Sequence, residues 1–174
     1  MLQKIKSENI LFLDIETVAQ HPDFSQLDDD FKAHWEKKAN FIGKDDETPA
    51  DVYKRAGIYS EFGKIVCISV GFIKIENGAK TLRLKSYVND DESVLINNFF
   101  ELLNNHYNHK DALLCAHNGK EFDFPYIARR ALVNGITIPE ILDLAGKKPW
   151  EINHLDTLQL WKFGDYKHYT SLSL

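Results

Sequence analysis

The sequence predicts an α/β fold in which a mixed sheet is flanked by helices. Two apolar runs, Ile10–Ile15 and Ala112–Ala116, are typical of buried strands because no breaker interrupts them. The dipeptide Asn77–Gly78 separates two strand-like segments and is a strong signal for a tight hairpin. Apolar residues recur at helical spacing after Asp91 and again from Phe124. Together these patterns predict hairpin-linked strands followed by βαβ-type crossovers.

A long connection from Ala19 to Ser60 follows the first strand. Within it we expect helices over Asp28–Ala39 and Ala50–Gly57. Such an excursion is either a lid or a layer that packs on the sheet, and its aromatic residues favour packing. The alternative is that an exposed Trp35 or Phe41 stacks on nucleic-acid bases.

The remaining strands are predicted from apolar runs and alternation. They cover Lys64–Lys74, Thr81–Val88, Ala112–Ala116 and a short segment near Ile152–Asp156. The third strand alternates leucine with arginine and lysine, which predicts one solvated face. We expect the first strand to be central in the sheet.

Two helices are predicted after the hairpin. The first follows Asp90 and Asp91, with an apolar stripe formed by Leu95, Phe99, Leu102 and Leu103. The second starts near Phe124, where Pro125 suits the first turn, and Asn134–Gly135 suits its C-terminal cap.

Composition indicates one globular domain of 174 residues with a net charge of −5. No apolar stretch is long enough to span a bilayer, and the N-terminus lacks a signal-peptide core. Cys67 and Cys115 lie in apolar strands, so we expect buried free thiols and a cytoplasmic protein. The acidic balance is unusual for a nucleic-acid binder, although a metal-dependent nuclease holds only a few nucleotides and its ions supply positive charge.

Asp14 and Glu16 are the first candidate site residues. Residues i and i+2 of a strand share a face, so both carboxylates point the same way. If the pair is buried, a cation is expected between them, and a hard ion such as Mg²⁺ or Mn²⁺ fits carboxylate oxygens. The alternative is two exposed acids just past the end of a strand.

Asp123 is the third candidate acid. It follows the Asn118–Gly119 turn and lies at or just before a helix N-terminus, where the helix dipole favours negative charge. Taken alone, an ordinary N-cap explains this residue better than a catalytic role does.

Two segments, FLDIET at Phe12–Thr17 and AHNGKEFDFPYI at Ala116–Ile127, resemble motifs I and II of the DEDD superfamily of 3′–5′ exonucleases. Within that superfamily they resemble in particular the proofreading exonuclease domains of family B DNA polymerases. Further segments resemble other parts of these domains: Glu61–Ser69, His154–Thr157 and Tyr169–Leu172. The resemblance implies an RNase H-like mixed sheet with flanking helices.

The resemblance also implies the chemistry of the site. Asp14, Glu16 and Asp123 would be catalytic and would bind two Mg²⁺ or Mn²⁺ ions. The residues that would contact the terminal nucleotides are Thr17, Asn118 and Phe122. The implied activity is 3′–5′ hydrolysis of single-stranded or frayed DNA, which releases nucleoside monophosphates.

Three alternatives remain open at this point. RNA could be the substrate, since the superfamily includes ribonucleases. The chain could be a nucleic-acid-binding module that keeps the fold without the activity. A metal-dependent phosphohydrolase acting on a small molecule is a third possibility, less favoured because Asn118 and Phe122 match strand-end contacts.

One part of the family's pattern has no match in this sequence. Motif III supplies a fourth acid preceded by a Tyr or His, and neither Tyr166 nor Tyr169 is followed four residues later by Asp. We therefore expect residues 1–174 to be a single exonuclease-like domain, with a helical insertion at about 19–60, that is C-terminally incomplete and lacks the motif III helix. Activity of this chain is expected to be weak or absent.

Overall fold

The computed structural model describes residues 5–165, 167 and 169–172, so Tyr166 lies outside the described residues. Its strands are β1 (Ile10–Ala19), β2 (Gly63–Glu76), β3 (Ala79–Val88), β4 (Leu113–Ala116) and β5 (Leu155–Asp156). Its α-helices are α1 (Asp29–Ile42), α2 (Pro49–Tyr53), α3 (Glu92–His106), α4 (Asp123–Val133) and α5 (Thr157–Lys162). Short 3₁₀ turns cover Ser7–Asn9, Phe24–Gln26, Ala56–Ile58, Glu140–Leu142 and Pro149–Glu151.

The five strands form one mixed sheet in the order β3-β2-β1-β4-β5. β2 is antiparallel to β1 and β3, whereas β4 is parallel to β1 and β5 is parallel to β4. The first strand is therefore central, with a meander on one side and crossover-linked strands on the other. This arrangement, with flanking helices, confirms the predicted RNase H-like mixed sheet.

β1 is longer than predicted. Its pairing with β2 continues to Ala19, opposite Gly63, with an irregularity between Glu16 and Thr17. The sequence pattern stopped at Ile15 because the residues after it are less apolar, but backbone pairing does not require apolar side chains. Asp14 and Glu16 therefore lie inside the strand, not at its end.

One face of the sheet carries the main core. Helices α3 and α4 pack there on alternate residues of the central strands, including Leu11, Leu13, Ile15, Ile68 and Val70. The other face, which we call the open face, carries Asp14 and Glu16, both exposed. Its β3 positions include exposed Leu82 and Leu84, the latter with 76% of its surface accessible.

The prediction of one solvated face for β3 is too simple. Its residues are exposed on both faces except Tyr87, whose ring packs edge-on against Phe99 of α3. The core-facing neighbours along the strand, Arg83 and Lys85, carry charges and remain in solvent. β3 is an edge strand, and charged side chains are a common way to protect such an edge.

The segment from Ala19 to Ser60 forms a second apolar cluster around Trp35, which is fully buried. This confirms the packing interpretation and excludes Trp35 as a stacking platform for bases. Phe41, in contrast, is 87% exposed. Helix α1 begins where predicted, since Asp28 accepts a hydrogen bond from the Phe31 amide, but α2 is shorter because a 3₁₀ turn replaces its last turn.

The hairpin prediction is confirmed, since Asn77 and Gly78 have φ angles of 52° and 80°. Positive φ at both central residues is the type I′ geometry that joins antiparallel strands tightly. The expectation for the thiols is partly wrong: Cys115 is buried in a small apolar cluster with Ile10 and Leu155, but Cys67 is only half-buried. Among the described residues, no helix is both long and apolar enough to cross a bilayer.

Candidate active site

The two acids of β1 share the open face, as strand alternation predicted. Both Asp14 and Glu16 are exposed, while Ile15 between them points into the core. Of the two alternatives, the exposed pair is the one that the structure shows, although the acids lie inside the strand and not just past its end. Solvation removes the need for a permanent cation between the two side chains, so their spacing alone does not demand a metal.

Asp123 reaches β1 from the start of helix α4. It is the first residue of that helix, and its Oδ1 accepts a hydrogen bond of 3.1 Å from the Ile15 amide. β4 pairs with β1 only as far as Phe12 and Cys115, so the Ile15 N–H lies beyond the end of its neighbouring strand. The carboxylate supplies the acceptor that the strand no longer provides.

The ordinary-cap interpretation of Asp123 is wrong. The N-cap of α4 is Phe122, whose side chain accepts no capping hydrogen bond. Asp123 is 3% exposed, and such complete burial is unusual for a carboxylate. Its position at the first turn of α4 favours a negative charge, but its side chain bonds to β1 and does not cap the helix.

Burial raises the pKa of Asp123 to about 7, and the nearby charge of Asp14 acts in the same direction. Hydrogen bonds from backbone amides act against this rise but do not cancel it. The ionised forms of the two carboxylates therefore disfavour each other. A cation bound between them would relieve that repulsion.

The loop that carries Asn118 is held by Asp156. One oxygen of this buried carboxylate accepts from the Asn118 amide at 3.0 Å, and the other accepts from the Lys120 amide at 3.2 Å. Asn118 has a φ of 60°, a conformation that asparagine tolerates better than most residues. The same Asp156 also accepts hydrogen bonds from two amides at the start of α5.

Thr17 lies beside a buried tyrosine. Tyr126 of α4 hydrogen-bonds Thr17 and donates to the Gly57 carbonyl at 2.7 Å. Burial raises the pKa of Tyr126 to about 12, so its hydroxyl stays protonated. Gly63 makes room for this hydroxyl, since a Cβ at that position would overlap it.

Sequence reasoning missed the roles of Tyr126 and Asp156. A signal for Asp156 exists in its position before a helical segment, which is typical of an N-cap, although its bonds to the Asn118 loop depend on the fold. Tyr126 had no local signal, because Thr17 and Gly57 are far away in the sequence. Phe122, the remaining predicted contact, is half-buried and packs against the Tyr126 ring at 5.3 Å between centroids.

The donor set suits a hard divalent ion, since carboxylate oxygens are the ligands that Mg²⁺ and Mn²⁺ prefer. The structure brings Asp14 within electrostatic reach of Asp123, and Glu16 shares the face of Asp14. In the part of the chain that the structure describes, however, no group of three or more His, Cys, Asp or Glu side chains is arranged to hold a metal ion. The three-acid metal site stays a prediction.

Comparison with known proteins bears on the same residues. Residues 58–167 match the model of a family described as a predicted 3′–5′ exonuclease related to the exonuclease domain of PolB. Asn118, Phe122 and Asp123 lie inside this match, whereas Asp14, Glu16 and Thr17 precede it. No curated protein shows significant similarity to the chain.

Among solved structures, the chain is similar to the family B DNA polymerase from the hyperthermophilic archaeon Pyrobaculum calidifontis. The identity is 16% and the TM-score is 0.36, and the alignment covers 73% of this chain and 11% of the polymerase. The family match covers more than half of the present chain and agrees with the resemblance seen in its motifs. The chain belongs to the family of predicted 3′–5′ exonucleases related to the exonuclease domain of PolB.

Proposed function

We propose that this protein is a metal-dependent 3′–5′ exonuclease that removes nucleoside monophosphates from single-stranded or frayed DNA ends. The observation that supports this most directly is the hydrogen bond from the Ile15 amide to Asp123. It joins the second motif to the middle of the first, across 108 residues of sequence. The family match adds support for a nuclease acting on nucleic acid.

In this proposal Asp14, Glu16 and Asp123 hold divalent ions with their carboxylate oxygens. When bound, such ions stabilise the attacking and leaving oxygens of a displacement at phosphorus. Asp123 contributes a buried oxygen that the Ile15 amide keeps in place. Thr17, Asn118 and Phe122 flank the acids in the two motifs and would contact the terminal nucleotides.

The loop after β4 supports this assignment of Asn118. Asp156 accepts hydrogen bonds from both ends of the Asn118–Lys120 turn, which limits the positions that Asn118 can take. Gly119 is required inside this turn, because a Cβ there would overlap that of Ala116. Because Asn118 is already held in place, it can orient the end of a nucleic-acid strand without first rearranging. Catalysis is faster when the reacting groups are held in the correct geometry in this way.

The first experiment measures the shortening of 5′-labelled single-stranded DNA with Mn²⁺ or Mg²⁺. Asp14→Asn should lower the rate by about 100-fold or more, since losing a metal ligand removes several kcal/mol of transition-state stabilisation. Glu101→Gln, which changes an exposed acid on α3, is the matched control and should leave the rate unchanged. The resemblance implies a fourth acid that has no match in this sequence, so the assay uses high enzyme concentration.

Products and substrates separate the alternatives. A ladder shortening from the 3′ end with mononucleotide release supports the exonuclease. Faster cleavage of an RNA strand of the same sequence would make RNA the substrate. Binding without cleavage, unaffected by either metal, would indicate a non-catalytic nucleic-acid-binding module. Equal rates for the wild type and Asp14→Asn would contradict the proposed role of that acid.

A further inference from the structure

A groove of about 480 Å³ runs along the outer side of α1, and we call it the α1 groove. One wall is a helical stripe formed by His34, Lys37, Lys38 and Phe41. These positions are spaced i, i+3, i+4 and i+7, so they share one face of the helix. A different face of α1 carries Trp35 and Ala39 into the second core cluster.

The stripe combines positive charge with an exposed ring. Lys37 is exposed, whereas Lys38 is half-buried and its Nζ lies 4.3 Å from the centroid of the Tyr59 ring. Phe41 exposes 87% of its surface at the end of the helix. In a chain with a net charge of −5, this stripe places two lysines beside an exposed aromatic ring, and such groups attract phosphates and stack on bases in proteins that bind single strands.

The second wall connects the groove to the acid-bearing strand. It is formed by Glu61 and Phe62, whose carbonyls accept hydrogen bonds from the Gln20 side chain at 3.0 Å and the Gln20 amide at 2.9 Å. Gln20 directly follows β1 and lies four residues beyond Glu16, about 13 Å along an extended strand. A strand held at the acids can therefore continue into the groove within a few nucleotides.

The stripe lies outside the segment that matches the family. That match begins at residue 58, whereas the stripe covers positions 34–41. The groove is thus built by the helical insertion of this chain against the start of the matched segment.

We propose that the α1 groove binds the single strand upstream of its 3′ end, with a base stacked on Phe41 and phosphates held by Lys37 and Lys38. The inference rests on the proposed nuclease function, since it takes a nucleic-acid strand as the occupant. This additional substrate site makes the affinity depend on the length of the oligonucleotide. Oligonucleotides long enough to reach the groove bind more tightly than those that reach only the acids. Glu61 also lines the groove and disfavours a phosphate next to it, so the contacts concentrate on the helical wall.

The test measures binding of fluorescent oligo(dT) of 3 and 12 nucleotides by anisotropy, in an Asp14→Asn background that suppresses cleavage. Phe41→Ala should weaken binding of the 12-mer by about 5- to 150-fold, the effect of losing one base stack. The trinucleotide should bind this variant as it binds the parent. Phe163→Ala is the matched control, since Phe163 is 93% exposed and does not line the groove.

The charges are tested through salt dependence. Lys37→Gln with Lys38→Gln should reduce the slope of log affinity against log salt concentration by about 1.4, the value for two phosphate contacts on a single strand. The control pair is Lys80→Gln with Lys110→Gln, two exposed lysines away from the groove. Circular dichroism of each variant verifies that the fold is retained.

The outcomes separate the groove from the proposed function. If wild-type protein neither binds nor cleaves DNA, the nuclease proposal fails and the groove proposal with it. If it cleaves DNA but Phe41→Ala and Phe163→Ala bind the 12-mer equally, only the groove proposal is overturned. The groove proposal is also overturned if Trp150→Ala weakens binding of the 12-mer and Phe41→Ala does not. Trp150 lines a different cleft, next to Asn118 and Lys162.

Discussion

The carboxyl group of Asp123 combines three features. It is almost fully buried, it lies near the charge of Asp14, and it accepts a hydrogen bond from a strand amide. The first two favour the protonated form and the third favours the ionised form. Since the pKa is raised to about 7, the balance favours protonation over much of the acidic range. When ionised, a buried carboxylate next to another negative charge destabilises the folded state unless a bound cation compensates it.

This pKa predicts how stability depends on pH in the absence of metal. The folded-state pKa lies above the unfolded value of 3.8, so folding takes up a proton between about pH 4 and pH 7. The contribution of Asp123 is therefore fully present below pH 4 and is lost as the pH rises through 7. We expect Asp123→Asn to be more stable than wild type at pH 8. The gain in the free energy of unfolding is at most ~1.4 kcal/mol for each unit by which the pKa of Asp123 differs between the folded and unfolded states.

Urea unfolding in EDTA at pH 5 and pH 8 measures this difference. Burial lowers the pKa of His154, so this residue reduces the free energy of unfolding as the pH falls below 6.5, which opposes the effect of Asp123. Both proteins contain His154, so its effect cancels when wild type and Asp123→Asn are compared. A difference between the two proteins that does not change with pH would contradict the raised pKa of Asp123.

At the scale of elements, the site depends on how segments end. β4 ends at Ala116, and the chain turns through a loop whose amides are held by Asp156 of β5. That same carboxylate caps α5, so one side chain connects the loop after β4, the end of β5 and the start of the last described helix. His117 makes a second set of hydrogen bonds between these segments. Its Nδ1 lies 2.9 Å from the Thr157 hydroxyl, and its Nε2 lies 2.7 Å from the Thr170 carbonyl.

Asp156→Ala should therefore loosen both attached segments. It leaves four backbone amides without their acceptor, and we expect a loss of roughly 2–4 kcal/mol in the free energy of unfolding. Hydrogen exchange of the amides of Asn118 and Leu158 measures the local effect. Asp23→Ala, which removes a cap from an exposed 3₁₀ turn, is the control and should cost about 1 kcal/mol or less. Unchanged protection at Asn118 would contradict this role for Asp156.

For the whole molecule, a buried ion pair joins the layers. Arg130 of α4 contacts both carboxylate oxygens of Glu92 at the start of α3, and also donates to the Ser60 carbonyl at 2.9 Å. Glu92 in turn accepts from the Ile65 amide of β2 at 2.7 Å. Both side chains are less than a tenth exposed. The pair therefore links two helices, the sheet and the end of the segment from Ala19 to Ser60.

Breaking this pair should cost far more than breaking a surface contact. Arg130→Met leaves a buried carboxylate without its partner, so we expect a loss of about 3–5 kcal/mol in unfolding free energy. Arg129→Met changes the adjacent exposed arginine and should have an effect within about 0.5 kcal/mol. Adding Glu92→Gln to Arg130→Met should recover part of the loss, since it removes the unpaired charge. Urea unfolding of the three variants is the measurement, and similar losses for Arg129→Met and Arg130→Met would refute this role.

Local patterns in the sequence were sufficient for much of the fold. The turn at Asn77–Gly78 and the start of α1 after Asp28 depend on neighbouring residues, and both were predicted correctly. The common face of Asp14 and Glu16 follows from strand alternation alone. The two motifs, at Phe12–Thr17 and Ala116–Ile127, indicated the family that the match over residues 58–167 shows.

Only the tertiary structure decided which environment each predicted residue occupies. Alternation placed Asp14 and Glu16 on one face, but it could not show that this face is open, because exposure depends on what packs there. The contact between Asp123 and Ile15 exists because β4 ends earlier than β1, a difference in length between strands distant in the sequence. The exposure of Phe41 and the burial of Trp35 likewise follow from how α1 packs. Local sequence determines backbone preferences, whereas burial and charge proximity arise when distant segments meet.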